Sequence, residues 1–324
     1  MIFDSECHTG GKAGAGYHAP KTYREPLFTP RVFNVDEMLG FPPGSEPTDD
    51  SPCLIEWMDH FGVARSVIQR GLFRQSNTTI LAAIERFPDR LVGFATYGLY
   101  PPDPASPRQT RAALDELDRG IRGGCLGVGE IPLFDLGARP DDVLAAARPL
   151  LDYCAGRGLP IFFHTGNDAY THHVDWLYPE REDRRPDDPP YRVRPAHNAL
   201  RNPALVEDLA LEFPTVPMII AHMGKKDFTF FEAALMVARR FPKVYLTTSN
   251  TAQEFLERAV REIGPERILF GTDWKRTSPE TPFDDPHSAH KLQLALVAEA
   301  RIADRAKELI LGENLSRLLA EVRP

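Results

Sequence analysis

The sequence predicts a single (β/α)8 TIM-like barrel spanning 1–324, with a C-terminal helical extension and two rim insertions at about 9–50 and 167–200. Three observations point there. Short apolar runs alternate with amphipathic helical stretches along the chain, the pattern of βαβ units and a parallel sheet. Acidic or histidine side chains stand at the ends of widely separated strands: Asp4-Ser5-Glu6-Cys7-His8, Gly129-Glu130, His164-Thr165-Gly166, His222-Met223-Gly224 and Gly271-Thr272-Asp273. Such groups meet only where a fold gathers strand ends, as the C-terminal rim of a parallel barrel does. Finally, the competing open doubly wound sheet lacks its glycine-rich fingerprint, because Gly10 and Gly11 follow charged residues and open no helix.

Ile2-Phe3 opens the first strand. Gly and Pro then break the rhythm through residue 50, a stretch too long for an ordinary connection and therefore a functional loop or lid. Cys53 to Phe61 reads as a helix, with Ser51 as N-cap and Pro52 in its first turn. Ala64 to Gln69 is the second strand, Asn77 to Phe87 a helix, and Leu91 to Tyr97 the third strand. Thr110 to Ile121 is helical and precedes a fourth strand at Cys125 to Val128. A helix over Asp141 to Ala155 stops at Gly156 and Gly158, and Leu159 to Phe163 is the fifth strand. After the second insertion come a helix at 204–213 and strand six at Val216 to Ala221. Phe231 to Arg240 and Gln253 to Ile263 are helices flanking strand seven, Val244 to Thr247. Arg267 to Phe270 is strand eight, and the tail from about Ala289 is helical.

Of the 324 residues 42% are hydrophobic and 26% charged, ordinary values for a globular protein. A formal net charge of -8 argues against nucleic acid and anionic membrane as partners and leaves a small-molecule substrate. No apolar run approaches the roughly 20 residues that span a bilayer, and Met1-Ile2-Phe3-Asp4 has no leader character. Cys7, Cys53, Cys125 and Cys154 lie far apart with no CxxC pair, so they read as buried thiols in a reducing cytoplasm.

Glu6 and His8 are two apart on a strand, so both face one side and can ligate one ion, while Cys7 faces away. His164 and His222 each close an apolar strand, and a glycine follows each within two residues. Asp273 closes Ile268 to Thr272 and reads either as a ligand or as a turn residue. Imidazole and carboxylate donors without thiolate suit zinc, manganese or iron. Asp273 could serve both as ligand and as proton acceptor for water, with a second histidine orienting substrate. Arg70, Lys225-Lys226 and Lys275-Arg276 follow strand ends, where a cation can clamp a carboxylate; singly, each reads better as a solvated charge. Ser249-Asn250 ends the seventh strand and could hydrogen-bond a polar substrate, and Arg70, Asn250, Trp274 and Lys275 are the candidate substrate-binding residues.

These motifs resemble the amidohydrolase superfamily, in particular the amidohydrolase-related branch that includes aminocarboxymuconate-semialdehyde decarboxylase. Asp4-Ser5-Glu6-Cys7-His8 is similar to that branch's Asp-x-His-x-His motif with Glu6 replacing the first histidine. Phe270-Gly271-Thr272-Asp273-Trp274 and the tail from Gly312 to Leu319 resemble its strand-eight and C-terminal motifs. The resemblance implies a distorted (β/α)8 barrel with a divalent metal ion, zinc or manganese, at its rim. It implies that Glu6, His8, His164 and Asp273 hold one ion, with His222 as the catalytic or supporting histidine. Val128-Gly129-Glu130-Ile131 resembles the strand-four glutamate of related hydrolases. With Glu130 as a bridge the set suffices for two ions per chain, Glu6, His8 and Asp273 on one and His164 and His222 on the other. Glu130 as a salt-bridged supporting acid is the equal alternative.

The expected activity is metal-dependent hydrolysis of an amide, lactone or ester in a small, carboxylate-bearing substrate, with Asp273 and His222 as catalytic residues. The alternative is a non-oxidative metal-dependent decarboxylase: Glu130 favours hydrolysis, and the anionic Glu6, which also favours harder ions such as manganese, favours decarboxylation. A non-catalytic ligand-binding barrel is the third possibility. By analogy with such barrels, self-association as a homodimer is expected.

Overall fold

The structure, a computed structural model, describes residues 1–11, 48–70, 76–97, 106–136, 140–166, 200–275, 283 and 288–323. The apolar runs form β1 (Ile2–His8), β2 (Val63–Ile68), β3 (Leu91–Ala95), β4 (Gly127–Pro132), β5 (Ile161–His164), β6 (Met218–Ile220), β7 (Val244–Thr247), β8 (Ile268–Leu269) and β9 (Trp274–Lys275). They make one nine-stranded sheet in the order β8-β7-β6-β5-β4-β3-β2-β1-β9, every pair parallel. The two edges belong to one chain segment. β8 pairs with β7, Ser5 N–H donates to Phe270 O at 2.8 Å, and β9 pairs with β1 through Cys7–Trp274 and His8–Lys275. The eighth strand is thus split in two, and its halves bring the ends of the sheet together as a (β/α)8 barrel requires.

Strand parity decides what fills the barrel. Phe3, Val67, Val92, Phe94, Phe162, Ile219 and Leu269 form one buried cluster, which Leu315, Leu318 and Leu319 of the C-terminal helix join. Their neighbours Ile68, Leu91, Ile161, Phe163, Met218 and Ile220 belong to the larger core that includes the surrounding helices. This two-sided burial is why parallel strands read as continuous apolar runs. Each such side chain stabilises the fold by roughly 1.5–3 kcal/mol. Gly127 leaves room for the Phe94 ring, which a Cβ would approach at 2.7 Å.

Helix starts follow their caps. Ser76 and Ser106 accept from Thr79 N and Gln109 N at the heads of α2 (Asn77–Arg86) and α3 (Pro107–Arg122), and Asp227 caps α7 (Phe228–Arg240). Ser51 is not the N-cap of α1 (Ser51–Phe61): it is already helical, and its N–H donates to Asp49 Oδ1 at 2.9 Å. Between α3 and α7 lie α4 (Leu133–Leu136), α5 (Pro140–Ala155) and α6 (Leu205–Glu212). After them come α8 (Gln253–Ile263) and α9 (Ala289–Glu299). His290 on α9 stacks on Trp57 and Phe61 of α1.

Strand four runs four residues beyond its predicted end, so Glu130 lies inside β4. The extension is held by Ile131–Phe163 and Pro132–His164 pairing with β5. β6 ends at Ile220, and His222 lies in the tight turn Ala221–Gly224 beyond it. Of the first insertion, Gly10–Gly11 pairs antiparallel with Thr48–Asp49, and Asp50 N–H donates to Thr9 O at 2.7 Å, so the two ends of that excursion are tied together. Tyr17, His18, Tyr170, His172, His173, Trp176 and Arg276 lie outside the described residues. Among the described residues, no helix is long and apolar enough to cross a membrane.

Candidate metal centre

Asp4 sets the geometry of the first strand. Its buried carboxylate accepts from Glu6 N at 3.0 Å, Thr272 N at 3.0 Å, Thr272 Oγ1 at 2.6 Å and Cys7 Sγ at 3.2 Å. One side chain thereby fastens β1 to the turn joining β8 and β9, which fixes Glu6 relative to Asp273. Burial lifts the Asp4 carboxyl to about 6 against the lowering of these four hydrogen bonds. The strand bulges here, its register against β2 shifting between Asp4 and Cys7. Cys7 belongs to the apolar core, as alternation from Glu6 and His8 predicts.

Six predicted residues converge as two triads, Glu6–His8–Asp273 and Glu130–His164–His222. Within each, three donor atoms lie within 4.8 Å of one another. In the first, His8 Nε2 lies 3.2 Å from Asp273 Oδ1. In the second, His164 Nδ1 is 2.5 Å from Glu130 Oε1 and 3.3 Å from His222 Nε2. The triads adjoin. Glu130 Oε2 is 3.7 Å from His8 Nε2, its Oε1 is 3.7 Å from His222 Nε2, and Glu6 Oε1 is 3.5 Å from His222 Nε2.

Hydrogen bonds behind the triads fix which ring nitrogen faces inward. His8 Nδ1–H donates to the Gln69 carbonyl at 3.2 Å, which turns its Nε2 toward Asp273 and Glu130. Ser249 Oγ donates to Glu6 Oε2, so it accepts from His222 Nδ1–H at 2.9 Å, and His222 Nε2 carries a lone pair inward. Thr247 Oγ1 accepts from His222 N–H at 2.9 Å and reaches Glu6 Oε2 at 3.4 Å. Asp273 is held by Asn250 Nδ2 at 2.7 Å and Lys275 Nζ at 3.3 Å.

The inward nitrogens of His8 and His222 therefore face carboxylate oxygens at 3.2–3.7 Å. Glu6 Oε1 is buried with no hydrogen-bond partner among the described residues. Electron-rich atoms so arranged, drawn only from imidazole and carboxylate, fit a divalent cation.

Burial and neighbouring charge act on the three carboxylates in different directions. Burial, then the Asp273 and Glu130 charges, raises Glu6 well above the usual carboxylate range. Burial works against Glu130 too, yet His164, His8 and His222 outweigh it and bring Glu130 to about 2. Asp273 is likewise held well below its usual value against burial, chiefly by Lys275 and His8. Burial depresses His164, and it depresses His222 well below the imidazole range with Lys225 adding to it. Glu130 and Asp273 are thus held ionised, as ligation needs, whereas Glu6 is pushed toward its protonated form.

The backbone is strained at the same place. Among the described residues, the non-glycine residues with left-handed φ are His222, Met223, Lys225, Lys226, Asn250 and Asp273, all just past the ends of β6, β7 and β8. Such residues cost of order 1–3 kcal/mol each and persist only where the surrounding structure holds them.

The predicted substrate-binding residues are placed unevenly. Lys275 pairs with His8 in the sheet and lies beside Asp273, and Asn250 is bonded to Asp273. Arg70 is buried, and its backbone brackets β4 by donating to Gly129 O and accepting from Glu130 N. Trp274 is not brought to the site. It pairs with Cys7 and sits in the apolar core, because the parity that turns Lys275 inward turns its neighbour out. Ser249, read from the sequence as a substrate contact, instead bonds His222 and Glu6, and the supporting roles of Asp4, Thr247 and Thr272 have no signal in the sequence beyond the polar run Thr247-Thr248-Ser249-Asn250 at a strand end.

The Amidohydrolase family model matches residues 42–320 of the chain. The chain belongs to the amidohydrolase family. Four of the six clustered residues of this amidohydrolase, Glu130, His164, His222 and Asp273, lie within the matched segment. Gamma-resorcylate decarboxylase from Rhizobium sp. (strain MTP-10005) is 26% identical to it over 267 residues, covering 72% of each chain. A TIM-barrel protein from Bordetella bronchiseptica superposes with a TM-score of 0.64 at 19% identity, covering 99% of this chain and 98% of its own. A probable 2-pyrone-4,6-dicarboxylic acid hydrolase from Acinetobacter baumannii gives 0.56 at 15% identity, covering 98% and 99%. At these identities the two structures speak to the shared fold.

Proposed function

We propose that this amidohydrolase is a metal-dependent hydrolase in which Glu6, His8 and Asp273 would hold one divalent ion, His164 and His222 a second, and Glu130 would be shared between them. The observation that carries the proposal is the placement of Glu130, with Oε2 toward His8 and Oε1 toward His164 and His222. Zinc or manganese suits the donors. When bound, such ions supply Lewis acidity toward a carbonyl and make water a better acid. Asp273 would accept the proton of the attacking water, its carboxylate oriented by hydrogen bonds from Asn250 and Lys275. His222, fixed by Ser249 and Thr247, would present Nε2 to the second ion. The substrate is a small carboxylate-bearing amide, lactone or ester.

Decarboxylation is the second reading, favoured by the 26% identity to a decarboxylase and by Glu6 in place of a first-strand histidine. Elemental analysis of wild type and Glu130→Gln decides between the two centres. About two ions per chain, falling to about one in the variant, is the expected result. One ion, unchanged by the substitution, would sink the bridged centre and make CO2 release from hydroxybenzoates the first activity to assay. Protein that binds no ion would refute both.

A further inference from the structure

One motif that stands out in the sequence, the tail from Gly312 to Leu319, takes no part in the chemistry of the metal centre. The C-terminal helix that carries it runs from Asp304 to Ala320 and is interrupted by a π-turn at Leu309–Glu313. There the Asn314 N–H donates to Leu309 O, five residues back, rather than to Ile310 O as an α-helix requires. Ile310 O is turned instead to another part of the chain and accepts from Phe270 N–H at 3.0 Å. The fully buried Asn314 side chain donates from Nδ2 to Ile268 O at 2.8 Å and to Pro265 O at 2.7 Å. Gly312 lies against the start of β1, where a Cβ would stand 2.5 Å from Met1 O and 3.1 Å from Phe3 N.

These contacts join the two elements that supply the first triad. Glu6 and His8 stand on β1, and Asp273 stands on the link between β8 and β9. Successive amides of that link are held by three different parts of the fold. Phe270 N–H is held by Ile310 O, Gly271 N–H by Thr248 Oγ1 at 3.1 Å, and Thr272 N–H by Asp4 Oδ1 at 3.0 Å. Asp273 follows at once, with its left-handed φ of 54°. The link also runs close to Glu6, since a Cβ at Gly271 would lie 3.1 Å from Glu6 Oε2. β8 itself is two residues long, so sheet pairing alone fixes little of this segment. Glu130, His164 and His222 come from β4, β5 and the turn after β6, and none of these bonds reaches them.

We propose that Ile310, Gly312 and Asn314 form a clamp that positions the first triad. The π-turn seats β1 on Gly312 and the β8–β9 link on Ile310 and Asn314, and so sets Asp273 against Glu6 and His8. The three are positioning residues and touch neither ion nor substrate. An unbroken α-helix would spend the Ile310 carbonyl on its own Asn314 amide, so the π-turn is what frees it for Phe270. The effect on ions rests on the metal-centre reading above; the positioning is a property of the chain alone.

Two measurements on the full chain test the clamp in Asn314→Ala and Gly312→Ala, with Ile80→Ala, a core cavity on α2, as the control for general loss of stability. The first is amide exchange of the ion-free protein, read by mass spectrometry. Residues 270–272 should exchange about 5-fold faster or more in both variants, the size of one lost hydrogen bond, while 161–164 of β5 exchange as in wild type. The second is a chelator-buffered Mn2+ titration. One of two ions should bind about 10-fold more weakly in each variant and the other as in wild type. In a His8→Ala background, where only the second triad is complete, Asn314→Ala should leave the remaining ion unaffected. Unchanged exchange over 270–272, equal acceleration at β5, the same selective acceleration in Ile80→Ala, or equal weakening of both ions would overturn the clamp. If neither variant folds, Arg317→Met takes their place and the same outcomes decide. It removes, from an exposed position, the guanidinium that holds Asn314 Oδ1 at 2.9 Å and Glu266 O at 3.0 Å. Wild type that binds fewer than two ions counts against the metal-centre reading, and the exchange rates then decide the clamp by themselves.

Discussion

Replacing Ser249 by alanine tests how the centre is oriented. The Ser249 hydroxyl accepts from His222 Nδ1–H at 2.9 Å and donates to Glu6 Oε2, so it joins one residue of each triad. Without it, His222 Nδ1 loses its acceptor in a fully buried place, and Glu6 keeps only the Thr247 hydroxyl at 3.4 Å. An unpaired buried polar group costs about 1–3 kcal/mol. Groups that orient metal ligands are worth about 10–100-fold in affinity, or about 1.4–2.8 kcal/mol. The two routes agree in size. Ser249→Ala should therefore bind Mn2+ or Zn2+ at least about 10-fold more weakly in a chelator-buffered titration. Ser249→Thr, which keeps a hydroxyl, should recover most of the loss. Wild-type affinity in Ser249→Ala, or equal weakness in both variants, would show that this hydroxyl does not set the His222 tautomer.

The remaining predictions concern the rest of the centre and its supports. Asp273→Asn keeps the shape but removes the proton acceptor, and turnover should fall about 10^2–10^4-fold with an unchanged circular dichroism spectrum; full activity would revive a role for the barrel that needs no such base. Chelation should lower Tm by about 5 °C and ion readdition restore it, as linkage to a ligand near 100 Kd implies. His290 is pushed down to about 3 by burial and stays neutral in the fold, whereas it ionises near 6.5 when unfolded. Its contribution is complete above pH 6.5 and is lost as pH falls toward 3, about 2 kcal/mol by pH 5. Denaturant midpoints of His290→Leu should accordingly decline less than wild type between pH 7 and 5, and parallel curves would refute the assignment. At Gly224, where φ is +88°, a Cβ would lie 2.4 Å from the Phe231 backbone nitrogen. Gly224→Ala should cost about 2–5 kcal/mol by chemical denaturation, because backbone cannot yield as a side chain can.

Much of this protein is determined by local sequence. Alternating apolar runs and capped amphipathic helices specify the strands and most helices, because secondary structure is a matter of periodicity and turn chemistry within a dozen residues. The placement of Glu6, His8, His164 and Asp273 at strand ends is equally local, since each stands where an apolar run stops. Other features were decided only by tertiary structure. β4 extends through Glu130 because β5 offers Pro132 a partner in His164, which no pattern around Cys125 to Val128 announces. Trp274 and Lys275 are adjacent, yet only pairing with Cys7 and His8 sends one to the core and the other to the site. Ser249 faces Glu6, 243 positions away, and Asp4 holds Thr272 at a separation of 268. Such contacts depend on register and on how β1 meets the split eighth strand. Closure of the sheet sets both at once, and no short window of sequence contains it.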